Sequence, residues 1–327
     1  MTNLRIIVSA VFIAFAAAVI SGRFIIPALK KHKAGQHVRE DGPQAHLKKE
    51  GTPTMGGVMI MIGVIAAMLV FLGKETFYAW FALIGALAYG LIGLIDDMII
   101  VLKHRSEGLT PKQKLILQFV FGALISVYAY LDPAIGSNIY IPIADINVDF
   151  GWFYIPFNIF FLMALTNSVN LTDGLDGLAG GVSVINSATF AVIFLGLIST
   201  FTWSRDLMIF AAALTGGILG FLRYNAYPAK VFMGDTGAFF LGGALSMLAI
   251  ISRLQIIIPV MGLMYVLSSL SCIIQVAHYK RTKKRVFKMA PLHHHFELCG
   301  IHETKIVAMY MIITAMLCLL VLLGLSY

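Results

Sequence analysis

The chain has 327 residues, of which 59% are hydrophobic and only 12% charged, with a mean hydropathy of +0.87 and a formal net charge of +8. These values exclude a soluble domain built on a single core and place the chain among proteins that cross a bilayer several times. The basic excess does not point to nucleic acid, because the lysines and arginines are spread through short loops and no recognition module accompanies them.

Apolar runs that cross, or nearly cross, a hydrocarbon layer of ~30 Å fall near 6–29, 55–73, 77–95, 115–131, 150–168, 178–201, 207–222, 236–252, 254–278 and 305–326. They predict an all-α polytopic membrane protein of ten transmembrane helices, with residues 1–327 as one integral membrane domain. The first run is too long for a cleaved signal, has only Arg5 before it, and is followed by the stop-transfer pattern Lys30-Lys31-His32-Lys33. The loops 30–50, 103–114, 223–235 and 280–305 hold 19 of the 24 basic residues. Short loops rich in Lys and Arg stay in the cytoplasm, so both termini are expected outside. On that outer side, residues 132–149, with Pro133, Gly136 and Ile139-Tyr140-Ile141, read as a small hairpin. Cys272, Cys299 and Cys318 form neither an even set nor a metal spacing.

Polar residues gather where the apolar runs meet the cytoplasmic loops. Lys48 to Gly57 is a turn punctuated by Gly and Pro, and its lysines suit an anionic substrate, although the spacing is not that of the phosphate loop of soluble nucleotide hydrolases. Asp96 and Asp97 close the third span. Neighbouring helical side chains point about 100° apart, so the pair predicts two roles, and its mutual repulsion asks for a cation.

In Asn167-Ser168-Val169-Asn170-Leu171-Thr172-Asp173-Gly174-Leu175-Asp176-Gly177, the amides and carboxylates recur every three residues and share a face if the segment is helical. An oxygen-donor set without cysteine suits a hard cation such as Mg2+, while Thr172-Asp173 also fits a cap on the sixth span. Asp235, at the start of the eighth span, is placed either to cap that helix or to hold a metal that carries phosphate. His293, His294 and His295 are consecutive and cannot all bind one metal from a regular helix. Neutral imidazoles do suit a phosphate or uridine-diphosphate clamp.

Taken in order, GTPTMGG (51–57), IDDM (95–98), NSVNLTDGLDGLA (167–179), NAYPAKVFMGDTG (225–237) and APLHHHFE (290–297) make the chain resemble the phospho-N-acetylmuramoyl-pentapeptide transferase family, a branch of the polyprenyl-phosphate N-acetylhexosamine-1-phosphate transferases. The resemblance implies transfer of phospho-MurNAc-pentapeptide from UDP-MurNAc-pentapeptide to undecaprenyl phosphate with Mg2+, releasing UMP. It implies a homodimer in the bacterial plasma membrane, with its cleft on the cytoplasmic side.

Carried over by motif, Asp235 holds Mg2+, while Asp96 and Asp97 are catalytic, one of them helping to activate the lipid phosphate. Asn170, Asp173, Asp176 and Phe232 line the nucleotide pocket. Lys49, Thr54, Lys114, Asn225, Gln275 and His293 complete the substrate cleft with Asn167 and Leu175, and His294 and His295 join the catalytic group. Relatives often carry a lysine three residues after the second aspartate; here Ile100 stands there, leaving that contact missing or supplied by Lys103. The family's ninth span is bent, with which Pro259 is compatible. An ion-coupled transporter is the rival from another class, but it would bring polar groups to the bilayer midplane. A sister transferase using UDP-GlcNAc is disfavoured by the His triplet and the GTPTMGG turn.

Overall fold

Among the described residues, eight helices of the computed structural model are long and apolar enough to cross a membrane, or nine when one bent pair is taken as a single span. The structure describes residues 2–31, 49, 51–71, 76–103 and 108–325. Lys33, Arg39, Lys48, Lys74 and Arg105 lie outside the described residues, so the charge asymmetry is judged there from sequence alone.

The helices are α1 (Asn3–Lys31), α2 (Gly57–Phe71), α3 (Phe77–Lys103), α4 (Pro111–Leu131), α5 (Tyr154–Thr172), α6 (Leu178–Gly196), α7 (Ser204–Asn225), α8 (Gly234–Ile251), α9 (Ile258–Met261), α10 (Leu263–Thr282), α11 (Leu292–Leu298) and α12 (Glu303–Gly324). Between α4 and α5, β1 (Asn138–Ile141) and β2 (Ile146–Asp149) pair antiparallel with Asn138 opposite Asp149, which is the hairpin expected on that segment.

Two of the ten expected runs take other forms. The second is a helix of 15 residues, about 22 Å long and short for a full crossing. The ninth is broken into a 3-10 turn, α9 and α10, with a bend of 80°. Pro259 is not the breaking residue: it lies in the first turn of α9, where a missing N–H leaves no helical hydrogen bond unmade. The bend comes at Gly262, whose N–H still reaches Ile258 O at 2.7 Å while its own φ and ψ of −96° and 27° leave the helix.

Small residues set the helix spacing. Ala10, Ala14, Ala18 and Gly22 form the buried stripe of α1, and Gly216 and Gly220 of α7 come against the α1 backbone, the mode of association that membranes favour when lipid offers no hydrophobic drive. α8 is buried at every residue from Thr236 to Ile251 and is the centre of the bundle. At its N-terminal end α3 crosses it at Gly93, where any side chain would strike the Asp235 carbonyl and the Thr236 amide. That crossing brings the Asp96-Asp97 turn of α3 against the first turn of α8.

Candidate active site

Asp96 and Asp97 of α3 and Asp235 of α8 offer carboxylate oxygens that all lie within 4.8 Å of one another. The two adjacent aspartates do take different directions. Asp97 Oδ2 accepts from the Thr236 amide at 2.9 Å and the Thr236 hydroxyl at 2.6 Å, and its Oδ1 accepts from the Asp235 amide at 3.3 Å. Asp97 thereby satisfies the exposed first-turn N–H groups of α8 from a different helix. Asp96 turns the other way and accepts from the Leu109 amide at 2.6 Å.

Lys114 supplies the cation of the cluster, its ammonium lying 2.6 Å from Asp235 and 3.0 Å from Asp96. The expected loop 103–114 is shorter in the structure. Thr110 and Gln113 form a capping box with Pro111 in the first turn, so α4 starts early and holds Lys114 on a helix instead of a loop. Lys103 is exposed at the end of α3 and Ile100 is half-buried, so it is Lys114 that meets these carboxylates.

The central motif is not one helical face. α5 ends at Thr172, and Asp173 occupies its C-terminal cap with φ −79° and ψ 49°. Neither Thr172 nor Asp173 caps the next helix; Gly177, in the left-handed region at φ 79°, precedes α6. Asn170 reaches the cluster, its amide donating to Asp235 Oδ1 at 2.7 Å. Asn167 does not: it donates to Gln118 Oε1 at 2.7 Å and braces α5 on α4. Asp173 is half-buried. Burial first, and then the charges of Asp235, Asp97 and Asp176, push its carboxyl up to about 7.

Asp176 faces a second cluster. Lys49 Nζ lies 2.7 Å from Asp176 Oδ1 and 2.6 Å from Glu303 Oε2. Burial pulls this ammonium's pKa down, and the hydrogen bonds and charges of the two carboxylates outweigh it, so Lys49 stays above the ordinary lysine value. The ion pairs border a cavity of about 540 Å³ that also touches Tyr227 and His302.

The remaining residues expected in the cleft divide into those aimed at these clusters and those that brace them. Thr54 is buried against Gly234, beside Asp97. Phe232 is half-buried, its amide donating to Pro53 O at 2.8 Å and its carbonyl accepting from Gly56 N at 2.8 Å, which fastens the 53–57 turn to the start of α8. Asn225 is a brace: its Oδ1 accepts from Gly177 N at 3.0 Å and its amide donates to Val231 O at 3.0 Å. Leu175 is a core side chain, 4% exposed. Gln275 spends its side chain on the 286–287 backbone, accepting from Val286 N and Phe287 N at 3.0 Å and donating to Phe287 O at 3.1 Å.

The His triplet falls on α11 and splits. His293 and His294 press on Gly174, where a side chain would strike the Nε2 atoms of both. His294 Nδ1 is paired with Glu297 at 2.7 Å. His295 points elsewhere: its Nδ1 accepts from the Lys288 amide at 3.1 Å and its ring meets Phe287 edge-on. Two imidazoles therefore belong to the central motif and one to the loop behind it.

Two participants were missed by sequence reasoning. Thr236 has a signal, since it follows Asp235 where a first-turn hydroxyl is common. Glu303 has none in its neighbourhood, because its partner Lys49 is 254 positions away.

Chemically, three carboxylates against one ammonium suit a divalent cation, and all the donors are oxygen, as a hard ion requires. The nearby amide, lysines and imidazoles can bind anionic oxygens.

Comparison with known proteins identifies the family. The Glycosyl transferase family 4 model matches residues 79–253, and the Phospho-N-acetylmuramoyl-pentapeptide-transferase signature 1 matches residues 49–61. A phospho-N-acetylmuramoyl-pentapeptide-transferase of Clostridium perfringens (strain 13 / Type A) is 47% identical over 312 residues, 95% of this chain and 96% of that protein. The protein so named from Caldanaerobacter subterraneus subsp. tengcongensis is 48% identical over 308 residues, covering 94% and 95%. That of Clostridium acetobutylicum is 44% identical over 326 residues, covering 98% and 99%.

Proposed function

The chain belongs to the phospho-N-acetylmuramoyl-pentapeptide-transferase family, and from that membership we infer that Asp96, Asp97 and Asp235 hold Mg2+ at the phosphates of its substrates. The reaction is transfer of phospho-MurNAc-pentapeptide from UDP-MurNAc-pentapeptide to undecaprenyl phosphate, which releases UMP and forms the first lipid-linked peptidoglycan precursor. The observation that carries the metal assignment is the oxygen-only set of three carboxylates that retains two uncompensated negative charges beside Lys114 when all are ionised.

A phosphate oxygen of the lipid attacks the phosphorus that bears the sugar. The new P–O bond joins sugar phosphate to lipid phosphate, and the old P–O bond breaks with its electron pair leaving on UMP. The attacking oxygen is already anionic near neutral pH, so the barrier lies mainly in bringing two anions together. Mg2+ held by Asp96, Asp97 and Asp235 would neutralise that charge and polarise the phosphoryl oxygens. Lys114 adds a second cation, and Asn170 fixes the Asp235 carboxylate that it donates to. Asp97, engaged by the first turn of α8, keeps the α3 and α8 carboxylates in register, and Asp96 shares the Lys114 ammonium with Asp235. Lys49, Asp173, Asp176, Phe232, His293 and His294 serve the nucleotide, with Asn167, Asn225, Gln275 and His295 bracing the segments that carry them.

The whole chain acts as one membrane domain of ten spans, counting α2 and the bent pair, with the site on the cytoplasmic side where basic loops predominate. A site at the bilayer surface admits a charged lipid head while its chain stays in hydrocarbon. The expected homodimer is tested by light scattering of the detergent complex.

The assay is UMP release by the purified protein with undecaprenyl phosphate, given UDP-MurNAc-pentapeptide or UDP-GlcNAc, with Mg2+ or with EDTA. Release with the muramoyl substrate and Mg2+ alone is the expected result. Release in EDTA overturns the metal assignment, and release with UDP-GlcNAc moves the chain to the sister branch.

A further inference from the structure

Lys49 lies just before the 53–57 turn, and its ammonium is held at 2.7 and 2.6 Å by carboxylates from two distant parts of the chain. We propose that Glu303 is a positioning residue for the nucleotide substrate, acting through Lys49, and the proposal rests on the reading of Lys49 as part of the substrate cleft.

The two carboxylates are fixed before they meet the lysine. Asp176 Oδ2 accepts from the Ala229 amide at 2.9 Å, which leaves Oδ1 for Lys49. Glu303 sits in the first turn of α12, where the helix dipole favours a negative charge, and the His302 side chain caps that turn by accepting from Thr304 N at 3.3 Å. Side-chain exposures of 2% for Asp176 and 9% for Glu303 show that neither is a solvated surface group. Lys49 itself is 16% exposed, and that opening is toward the cavity bordered by Tyr227, Ala229 and His302.

A free lysine side chain has rotamer entropy to lose when it docks on an anion. Two rigid carboxylates take up that loss before substrate arrives, and they keep the ammonium charged. Asp176 alone would hold one direction, leaving the amine free to swing about a single bond; Glu303 defines the second. Glu303 makes no contact with Asp96, Asp97 or Asp235 among the described residues, so its effect is expected on binding of the nucleotide and not on the transfer step.

The test is steady-state kinetics of the full-length protein in detergent for Glu303→Gln, Lys49→Met and the double variant, varying UDP-MurNAc-pentapeptide and undecaprenyl phosphate separately. Losing one charged hydrogen bond predicts a rise of about tenfold in KM for the nucleotide in Glu303→Gln, with kcat and the lipid KM within about twofold. Because Glu303 acts through Lys49, the double variant should match Lys49→Met within about twofold instead of multiplying the two defects. Glu303→Asp, which keeps the charge, should recover part of the lost affinity, and it carries the same test if the glutamine variant does not fold. Multiplicative defects, or a loss confined to kcat or to the lipid KM, overturn the inference while leaving Lys49 in the cleft. A Lys49→Met enzyme with a wild-type nucleotide KM overturns the reading of Lys49 and the inference with it.

Discussion

Asp206 and Asp235 both lie in the first turn of a long apolar helix, α7 and α8, at opposite ends of the bundle, and they are used in opposite ways. At the hairpin end Asp206 accepts from the Tyr78 and Ala79 amides at 3.1 and 3.4 Å and closes the exposed start of α3. Asp132 there accepts from the Ala134 and Ile135 amides, and Arg253 donates to Ala134 O at 2.9 Å. Asp206, Asp132 and Arg253 are each answered by backbone groups. At the other end α3 delivers Asp96 and Asp97 to Asp235, and one lysine reaches two of the three carboxylates. Charge spent on backbone stabilises the fold; charge gathered against its own repulsion costs stability and is retained where a ligand offsets it.

The contrast breaks most sharply on exchange of the two aspartates for neutral residues. Asp235→Asn should lower Mg2+-dependent UMP release by about 10³-fold, with the protein still monodisperse in detergent. Lys114→Met removes a cation from the same cluster, and a fall of about 10²-fold in kcat is expected, read in the same assay at saturating substrates. Asp206→Ala should leave turnover within about twofold and cost about 1 kcal/mol of stability, seen as a lower melting temperature, because only a helix-start contact is lost.

Asp173 sharpens the comparison through pH. Its carboxyl titrates near 7 against an ordinary 3.8, so the fold favours the protonated form. That contribution is complete below the unfolded value and is lost as pH rises through 7. In EDTA, Asp173→Asn should therefore melt above the native protein at pH 8, and the difference should vanish by pH 4. The smallest effect is expected from Cys299→Ser, since the exposed thiol makes only a 3.8 Å contact with His295; a large loss of UMP release would assign the last loop a direct part.

The membrane class, the hairpin and the clustering of carboxylates at apolar run ends were legible in the sequence because each is written in a short window. Asp96-Asp97 and Asp235 need no partner to be noticed, since a charge at the end of an apolar run is itself the signal. What joins them was not legible. The crossing at Gly93, the capping of α8 by Asp97, and the pairing of Lys49 with Glu303 are contacts between distant segments, and a periodicity carries no record of them. The same limit makes Asn167 and Asn170, three residues apart, look equivalent in the sequence. Only the neighbouring helix decides that one faces Gln118 and the other Asp235. The start of α4 was misplaced for a local reason: the capping box at Thr110 outweighs the polarity of Lys112 and Lys114, which had marked the segment as loop.

We propose that the gathered carboxylates, and not the dispersed ones, hold a divalent cation. Mn2+ takes the same oxygen ligands as Mg2+ and is visible by electron paramagnetic resonance, so titration of the native protein, Asp235→Asn and Asp206→Ala with Mn2+ tests it directly. The account predicts one bound ion per chain in the native protein and in Asp206→Ala, and its loss in Asp235→Asn. Equal Mn2+ binding by Asp235→Asn and the native protein would contradict it.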